Sequence, residues 1–282
     1  MDRSGNCRIV VPVYKPSLSE EEAVSIATIR KNLSRFGICF VAPECLDLSR
    51  IIRNGESSER FDDDYFNGIE GYNRLLKSSM FYERFLETPY LLICQLDCLV
   101  LGDQLEEWIR KGFDYIGAPW FKPKKTPQEG LWRSGNGGFS LRNIAAHLRV
   151  LKMRVPKGSV YRMKGSVRLR TKNAKSELGM YHKKMLWHRL FHPKGESTVV
   201  EEEMKRFRYH EDVFWSFEAP KFDPTFKVPT AEEALPFAFE EAPRWCFEKN
   251  GRQLPFGCHA WAKYDKEFWI ETLKNLEHGS GV

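Results

Sequence analysis

The sequence contains no long hydrophobic run: a stretch of about 18 apolar residues, as a membrane-spanning helix requires, does not occur. Residues 1–8 also lack the hydrophobic region of a secretion signal. The seven cysteines are scattered and show no C-x-x-C pair, so neither a zinc site nor a disulfide framework is indicated. From these absences we expect a cytoplasmic protein whose cysteines are reduced core thiols.

Positive charge is concentrated in one segment. The net charge is +6, and residues 152–194 hold thirteen Lys or Arg and one acid, Glu177, which is 13 − 1 = +12. The rest of the chain therefore sums to 6 − 12 = −6. We predict that residues 152–194 form a basic arm, inserted in the chain, that is suited to a phosphorylated acceptor, an anionic membrane surface or nucleic acid, or that is simply a solvated face.

The first third of the chain has a β-α-β pattern. Residues 8–14 are rich in β-branched residues and predict a strand, and Ser19 followed by three glutamates predicts the start of a helix. Gly37 ends that helix, and residues 38–41 predict a second strand. Such units imply a mostly parallel sheet flanked by helices, with the ligand site beyond the carboxyl ends of the strands.

A buried strand that ends in an acid is the central feature of the sequence. Residues 91–94 form a short apolar run typical of a strand buried on both faces, and Asp97 follows it. An unpaired buried carboxylate costs several kcal/mol, so Asp97 should either reach a cleft or hold a cation or a hydrogen-bond donor. The alternative is that Asp97 only caps the following turn.

Three further elements and a glycine-rich run follow from the same patterns. Apolar residues recur at a helical period within residues 61–85, starting at Ile69. Residues 104–111 predict a short helix and residues 113–117 a strand. Three glycines in residues 135–144 (GNGGFSLRNI) suggest a close backbone approach to a ligand, although glycines also simply form turns.

Two candidate functional segments lie in the second half of the chain. The segment EDVFW begins with the adjacent acids Glu211 and Asp212, which either act chemically or cap a helix. His259 lies in an aromatic, glycine-bearing segment, FGCHAW, and is either a core histidine or a metal ligand.

These segments, in this order, resemble the GT-A glycosyltransferases. QLDCLVL resembles their D-x-D segment, whose strand-end acid binds the divalent metal that bridges the phosphates of a nucleotide sugar. GNGGFSLRN and EDVFW resemble the glycine-rich loop and the EDV motif of the Fringe and β-1,3-galactosyltransferase type, and FGCHAW resembles a C-terminal metal-binding histidine. Together with DYIGAPW, the pattern is most similar to a bacterial glycosyltransferase family, over most of residues 10–261 except the basic arm. The resemblance implies a single GT-A domain over residues 1–282.

The resemblance also implies roles for individual residues. Asp212 would be the catalytic base, with Glu211 as the fallback, and Asp97 and His259 would bind Mn²⁺ or Mg²⁺. Because Gln95 replaces the first acid of D-x-D, metal dependence is open. The other predicted site residues bind the donor (Pro12, Val13, Tyr14, Asn73, Lys77, Gln95 and Asp97) or the sugar and acceptor (Trp120, Asn136, Gly137 and Gly138). Trp132 and Trp261 are further candidates for stacking on sugar rings, with the core as the alternative.

The sequence thus predicts an inverting glycosyltransferase that moves a sugar from a nucleotide sugar, UDP-linked by expectation, to a hydroxyl of a glycan or glycolipid in bacterial surface polysaccharide synthesis. The alternative is a carbohydrate- or nucleotide-sugar-binding protein without catalysis. Nucleic-acid binding is disfavoured because the basic arm is joined to no recognisable binding module. We expect a cytoplasmic location, with the basic arm as a candidate contact to the inner face of the membrane.

Overall fold

The fold is that of a computed structural model, which describes residues 3–122, 127, 130–157, 197–207 and 209–278. The strands are β1 (Cys7–Pro12), β2 (Gly37–Pro43), β3 (Ser57–Phe61), β4 (Tyr90–Cys94), β5 (Leu99–Val100), β6 (Tyr115–Gly117), β7 (Pro119–Phe121), β8 (Leu131–Ser134), β9 (Phe139–Asn143), β10 (Arg154–Pro156), β11 (Ser197–Val199), β12 (Ala238–Phe239) and β13 (Gly257–Cys258).

The α-helices are α1 (Glu20–Leu33), α2 (Gly68–Leu75), α3 (Ser79–Glu83), α4 (Leu105–Arg110), α5 (Ile144–Lys152), α6 (Val200–Met204), α7 (Glu211–Val213), α8 (Ala219–Phe222), α9 (Ala231–Ala234), α10 (Pro243–Lys249) and α11 (Lys266–Glu277). Short 3-10 helices occupy Arg3–Asn6 and Asp63–Phe66, and a π-helix occupies Phe214–Glu218.

The largest sheet has six strands in the order β3-β2-β1-β4-β9-β6. The neighbours from β3 to β4 pair in parallel, and only β9 runs antiparallel to β4 and to β6. The predicted mixed α/β fold, with a mostly parallel central sheet flanked by helices, is confirmed.

The central strands are buried on both faces, which explains their nearly continuous apolar sequence. Side chains alternate between two layers of the core: Leu92 packs in one layer, and its neighbours Leu91 and Ile93 pack in the other. Burying one such side chain contributes about 1.5–3 kcal/mol. A one-residue shift in register would exchange the two layers, so the pairing of β1 with β4 is strongly specified.

The first helix begins where the sequence predicts. Ser19 is the N-cap of α1: its side chain accepts from the Glu22 amide, and the Glu22 carboxylate accepts from the Ser19 amide. This capping box fixes the point at which the chain leaves the loop after β1.

The strand order places the ligand site. From β1 the chain proceeds to β2 and β3 on one side, and β4 then pairs with the other side of β1. In open α/β sheets, ligands bind beyond the carboxyl ends of the strands at such a switch point. The segments that follow β1 and β4 therefore border the expected crevice.

The helical region in residues 61–85 is more broken than predicted. A 3-10 helix, α2 and α3 replace one continuous helix, because Ser78 starts a new helix by accepting from the Phe81 amide. Ile69 was expected on the buried face, but its side chain is exposed at the start of α2. The edge strand β3 was not predicted, since its polar sequence SSERF has only its last side chain buried.

Most of the predicted basic arm lies outside the described residues, which omit 158–196. Its two ends meet in an antiparallel pair, β10 with β11. All seven cysteines are free; six are buried, as expected for core thiols, whereas Cys45 is exposed. In the part of the chain that the structure describes, no helix combines the length and apolar character that a membrane crossing needs.

Candidate active site

The segment after β4 brings Gln95 and Asp97 to His259. The His259 Nε2 atom lies 3.2 Å from Gln95 Oε1 and 3.3 Å from Asp97 Oδ1. The Asp97 side chain is 48% exposed, so it faces a cleft instead of packing in the core. His259 is placed by β13, which pairs with β5 and thus returns the C-terminal part of the chain to the end of β4.

A second acid, Glu240, holds the other side of the His259 ring. The Nδ1 atom lies 3.0 Å from Glu240 Oε1, which also accepts a hydrogen bond from the Asn136 side-chain amide at 2.8 Å. The Asn136 Oδ1 atom in turn accepts from the Gly138 amide. The predicted residues Asn136, Gly138 and His259 therefore share one hydrogen-bond network, and Glu240 joins them.

The acids determine the charge of His259. Burial alone would lower the pKa of His259, but the hydrogen bonds and charges of Asp97 and Glu240 outweigh it and raise the pKa to about 10. Burial likewise opposes ionisation of Asp97, and the contact with His259 still holds its pKa below the ordinary value. His259 is thus a cationic imidazole between two carboxylates.

The two consecutive glycines of the glycine-rich loop separate two groups of functional side chains. A β-carbon on Gly138 would lie 2.2 Å from His259 Nε2, and one on Gly137 would lie 2.2 Å from Glu211 Oε1 and 3.2 Å from the Asp212 β-carbon. A side chain at either position would push against these groups, which their hydrogen bonds hold in place. Because consecutive α-carbons are about 3.8 Å apart, His259 and Asp212 border the same short stretch of backbone.

Asp212 is half-buried in α7, which a π-helix continues directly. Its Oδ1 atom accepts from the adjacent Val213 amide at 2.7 Å. Burial and the neighbouring charge of Glu211 raise the pKa of Asp212 to about 7. A carboxylate with this pKa can take up a proton near neutral pH.

Glu211 is engaged differently from its neighbour. Both of its oxygens accept from the guanidinium of Arg142, at 2.8 Å each, and both side chains are buried. The pair therefore lies under the glycine-rich loop. Both Glu211 oxygens are engaged by Arg142.

Asn73 and Lys77, predicted to bind the donor, contact the segment that leads into α7. The Asn73 Oδ1 atom accepts from the Glu211 amide at 2.7 Å. The Lys77 Nζ atom donates to the Phe207 carbonyl at 3.0 Å, and burial lowers the pKa of Lys77 to about 8. These contacts position α7, and the donor role of both residues stays a prediction.

At the end of β1, the three residues predicted to contact the donor face different environments. Pro12 and Val13 are buried, and Val13 belongs to the core. Tyr14 is 62% exposed at the carboxyl end of β1, beside the switch point. Of the three, Tyr14 is the side chain available for stacking against a base.

Trp120 and Trp132 are half-buried beside the glycine-rich loop. The Trp120 and Phe217 rings are stacked, with an angle of 6° between their planes. The centroid of the Trp132 ring lies 4.9 Å from that of Phe217. A β-carbon on Gly135 would overlap Trp120, so the loop lies directly against this ring. By contrast, Trp261 is a core residue: it is buried and donates to Ser25.

Sequence reasoning missed Arg142, Glu240 and Tyr72. Arg142 lies within the quoted run GNGGFSLRN, where a charge among buried strand residues was an available signal. Tyr72 lies near Gln95, and burial raises its pKa. Glu240 had no signal in the sequence, because only the pairing of β12 with β13 brings it to His259.

The donor atoms around His259 Nε2 fit a divalent cation in part. Among the described residues, no group of three or more His, Cys, Asp or Glu is arranged to hold a metal ion. The Gln95 amide oxygen adds a third donor, and the separations of 3.2 and 3.3 Å are close to the roughly 3 Å between adjacent ligands of an octahedral ion. Glu240 on Nδ1 would orient the ring for this purpose.

Comparisons with known proteins give a family and several distant structures. A family model described as "Protein of unknown function (DUF5672)" matches residues 56–259. No curated protein matches the chain.

Among solved structures, galactosyltransferase LgtC with donor and acceptor sugar analogs is 11% identical, with a TM-score of 0.46 and 95% of each chain covered. The glycosyltransferase GlyE of Streptococcus pneumoniae is 11% identical, with a TM-score of 0.41, 95% of this chain and 60% of that chain covered. The mannosyltransferase Ktr4p of S. cerevisiae is 9% identical, with a TM-score of 0.37; 51% of this chain and 57% of that chain are covered. At these scores, the likenesses carry no conclusion about function.

Proposed function

Because the chain belongs to the DUF5672 family of proteins of unknown function, we infer its activity from the site, and we propose that it is an inverting glycosyltransferase of the GT-A type. It would move a sugar from a nucleoside-diphosphate sugar to a hydroxyl of a glycan or glycolipid. The donor we propose is a UDP-sugar. One observation carries the proposal: Asp212 and the Asp97–His259 pair lie against the two adjacent glycines 137 and 138, beyond the ends of β1 and β4.

The proposed division of labour follows from the chemistry of the groups. Sugar transfer needs compensation of charge on the leaving diphosphate and a base for the acceptor hydroxyl. Asp97 and His259 would supply the first by holding a divalent cation, at the switch point where nucleotides bind in open α/β sheets. Asp212 removes the proton, because its raised pKa keeps it basic near neutral pH. Attack from the face opposite the leaving group inverts the anomeric carbon.

For the metal, we propose that Asp97, His259 and the Gln95 amide oxygen hold Mn²⁺ or Mg²⁺, with diphosphate oxygens and water as the other ligands. When bound, the cation neutralises charge on the leaving diphosphate. His259 must lose its proton to bind a metal, so the apparent affinity should increase with pH.

Other residues singled out in the sequence have proposed roles beside these groups. We propose that Tyr14 stacks on the nucleotide base, and that Asn136 and the glycines form the sugar side through their backbone. Trp120 would contact the acceptor, since it lies against Gly135 on the Asp212 side of the loop. A role in bacterial surface polysaccharide synthesis is consistent with such an acceptor.

The test is a panel of donors with purified protein. Melting temperature is measured with UDP-glucose, UDP-galactose, UDP-N-acetylglucosamine and GDP-mannose, each with Mn²⁺, with Mg²⁺ and with EDTA. Release of nucleoside diphosphate is measured in parallel. We expect one donor to raise the melting temperature and to be hydrolysed slowly in the absence of acceptor. Binding without release at any pH would favour the non-catalytic alternative.

The basic arm is the proposed contact to an anionic acceptor or membrane surface. Association with vesicles that contain anionic phospholipid should fall steeply between low and high salt, because screening weakens exposed charges beyond about 10 Å at 0.1 M. Salt-independent association, or none, would contradict this role. A cytoplasmic location, peripheral to the inner face of the membrane, follows from the same proposal.

A further inference from the structure

Arg142 is a fully buried cation that the proposed chemistry does not use. Its side chain has 0% exposure, on strand β9 next to the glycine-rich loop. A buried guanidinium is expensive unless each of its donors has a partner. Here the Nε atom donates to Ser140 at 2.9 Å, Nη1 to the Tyr82 hydroxyl at 3.2 Å and Nη2 to the Gly137 carbonyl at 3.3 Å.

The strongest bonds of Arg142 go to Glu211. The two parallel contacts of 2.8 Å form a bidentate pair, which fixes both distance and orientation. Through these partners Arg142 joins three elements that the chain brings together from distant positions: the glycine-rich loop, α3 and α7. The helix that carries Asp212 is thus tied to the loop that borders His259.

The pair also sets the charge around Asp212. Glu211 and Glu240 are the acids that face it, Arg142 is the compensating cation, and the Tyr115 phenol is close enough for its own pKa to respond to Asp212. Glu211 disfavours ionisation of Asp212, and Arg142 favours it. Moving or neutralising either partner therefore changes both the place and the basicity of the Asp212 carboxylate.

We propose, on the basis of the proposed function, that Arg142 and Glu211 are positioning residues: their ion pair anchors α7 against the glycine-rich loop and holds a second negative charge beside the base. Glu211 is then not a reserve base. It acts on the reaction through Asp212, and it does so only while Arg142 holds it.

The first measurement does not depend on the donor. The protein is labelled with ¹³C at its aspartate carboxyl carbons, and the Asp212 signal is assigned by its loss in Asp212→Asn. In Glu211→Gln, which keeps the shape and removes the charge, the Asp212 signal should titrate about one pH unit lower or more. An unmoved titration in this variant would overturn the proposal.

The second measurement is turnover of the best donor of the panel. Arg142→Lys keeps the positive charge but cannot contact both Glu211 oxygens in the same plane, so kcat should fall roughly tenfold or more at an unchanged donor KM. The matched control is another bidentate pair, Arg30 with Glu56, whose contacts of 2.7 and 2.8 Å join the last turn of α1 to the residue before β3, an edge strand of the sheet. Arg30→Lys should lower the melting temperature and leave kcat unchanged.

Equal kcat values in Arg142→Lys and Arg30→Lys would overturn the proposal. If Glu211→Gln does not fold, Tyr82→Phe replaces it, since this change removes only the hydroxyl that accepts from Arg142 and keeps the ring. Its kcat should be several-fold lower at an unchanged donor KM, and an unchanged kcat would overturn the proposal. The proposed function is tested separately: if Asp212→Asn keeps the turnover of the wild type, Asp212 is not the base, whatever the titrations show.

Discussion

Replacing Asp212 by asparagine separates a catalytic role from a structural one. The change is nearly isosteric, and the new side chain can still accept from the Val213 amide, as Asp212 does at 2.7 Å. If Asp212 is the base, kcat should fall by about 10²- to 10⁴-fold, which corresponds to ~3–5 kcal/mol of transition-state stabilisation. Donor affinity should hardly change, since donor binding is assigned to Asp97 and His259.

The same substitution that lowers turnover should raise the free energy of unfolding. The pKa of Asp212 is raised from 3.8 to about 7, so the folded state holds a proton that the unfolded chain releases between these values. The wild type is therefore favoured below pH 3.8 and loses this contribution as the pH rises to about 7. Because asparagine does not ionise, the stability advantage of Asp212→Asn should grow over this range to at most ~4 kcal/mol.

The assays are urea unfolding at several pH values and the pH profile of kcat/KM in the wild type, which should fall as the pH drops through about 7. The control is Asp223→Asn. Asp223 is buried, and its contacts with Thr225 and Arg149 hold its pKa below the ordinary value despite that burial. This variant should lose stability at neutral pH and keep its kcat. A large loss of stability in Asp212→Asn at unchanged turnover would refute the base and support a role in the helix alone.

Three further changes test other parts of the site. Asp97→Ala should abolish Mn²⁺-dependent donor binding by calorimetry while the circular dichroism spectrum is kept, and equal wild-type binding in EDTA would exclude the metal. Gly138→Ala should lower turnover about 100-fold, because its β-carbon would meet His259 Nε2 at 2.2 Å, whereas Gly5→Ala, with nothing within 4 Å, should behave as wild type. Burial lowers the pKa of Lys77 from 10.5 to about 8, so wild-type stability should rise between these pH values as the unfolded state alone keeps the proton. Lys77→Met should lack that rise, and a rise of equal size in the variant would contradict the assignment.

Local patterns in the sequence are sufficient for strands β1, β2, β4 and β6 of the central sheet. The capping box at Ser19, the apolar run of β4 and the glycine-rich loop each act within a few residues, so they can be read directly from the chain. The same holds for the candidates Asp97, Asp212 and His259, whose residue types and positions next to apolar runs single them out.

Local patterns failed where neighbouring elements decide the outcome. The polar strand β3 forms because the edge of β2 offers it hydrogen bonds. This cause is not visible in a short window of sequence.

What only the tertiary structure decided is which charged groups are neighbours. From residue type and order, Asp212 was the predicted base and Glu211 only its fallback, with nothing in the local sequence to show how their surroundings differ. Their surroundings differ because a guanidinium 69 positions away engages one and leaves the other beside the glycine-rich loop. Likewise, Glu240 becomes the partner of His259 only because β12 pairs with β13. The electrostatic energy of a site depends on distances between groups that are remote in the chain, so it is fixed by packing and not by local sequence.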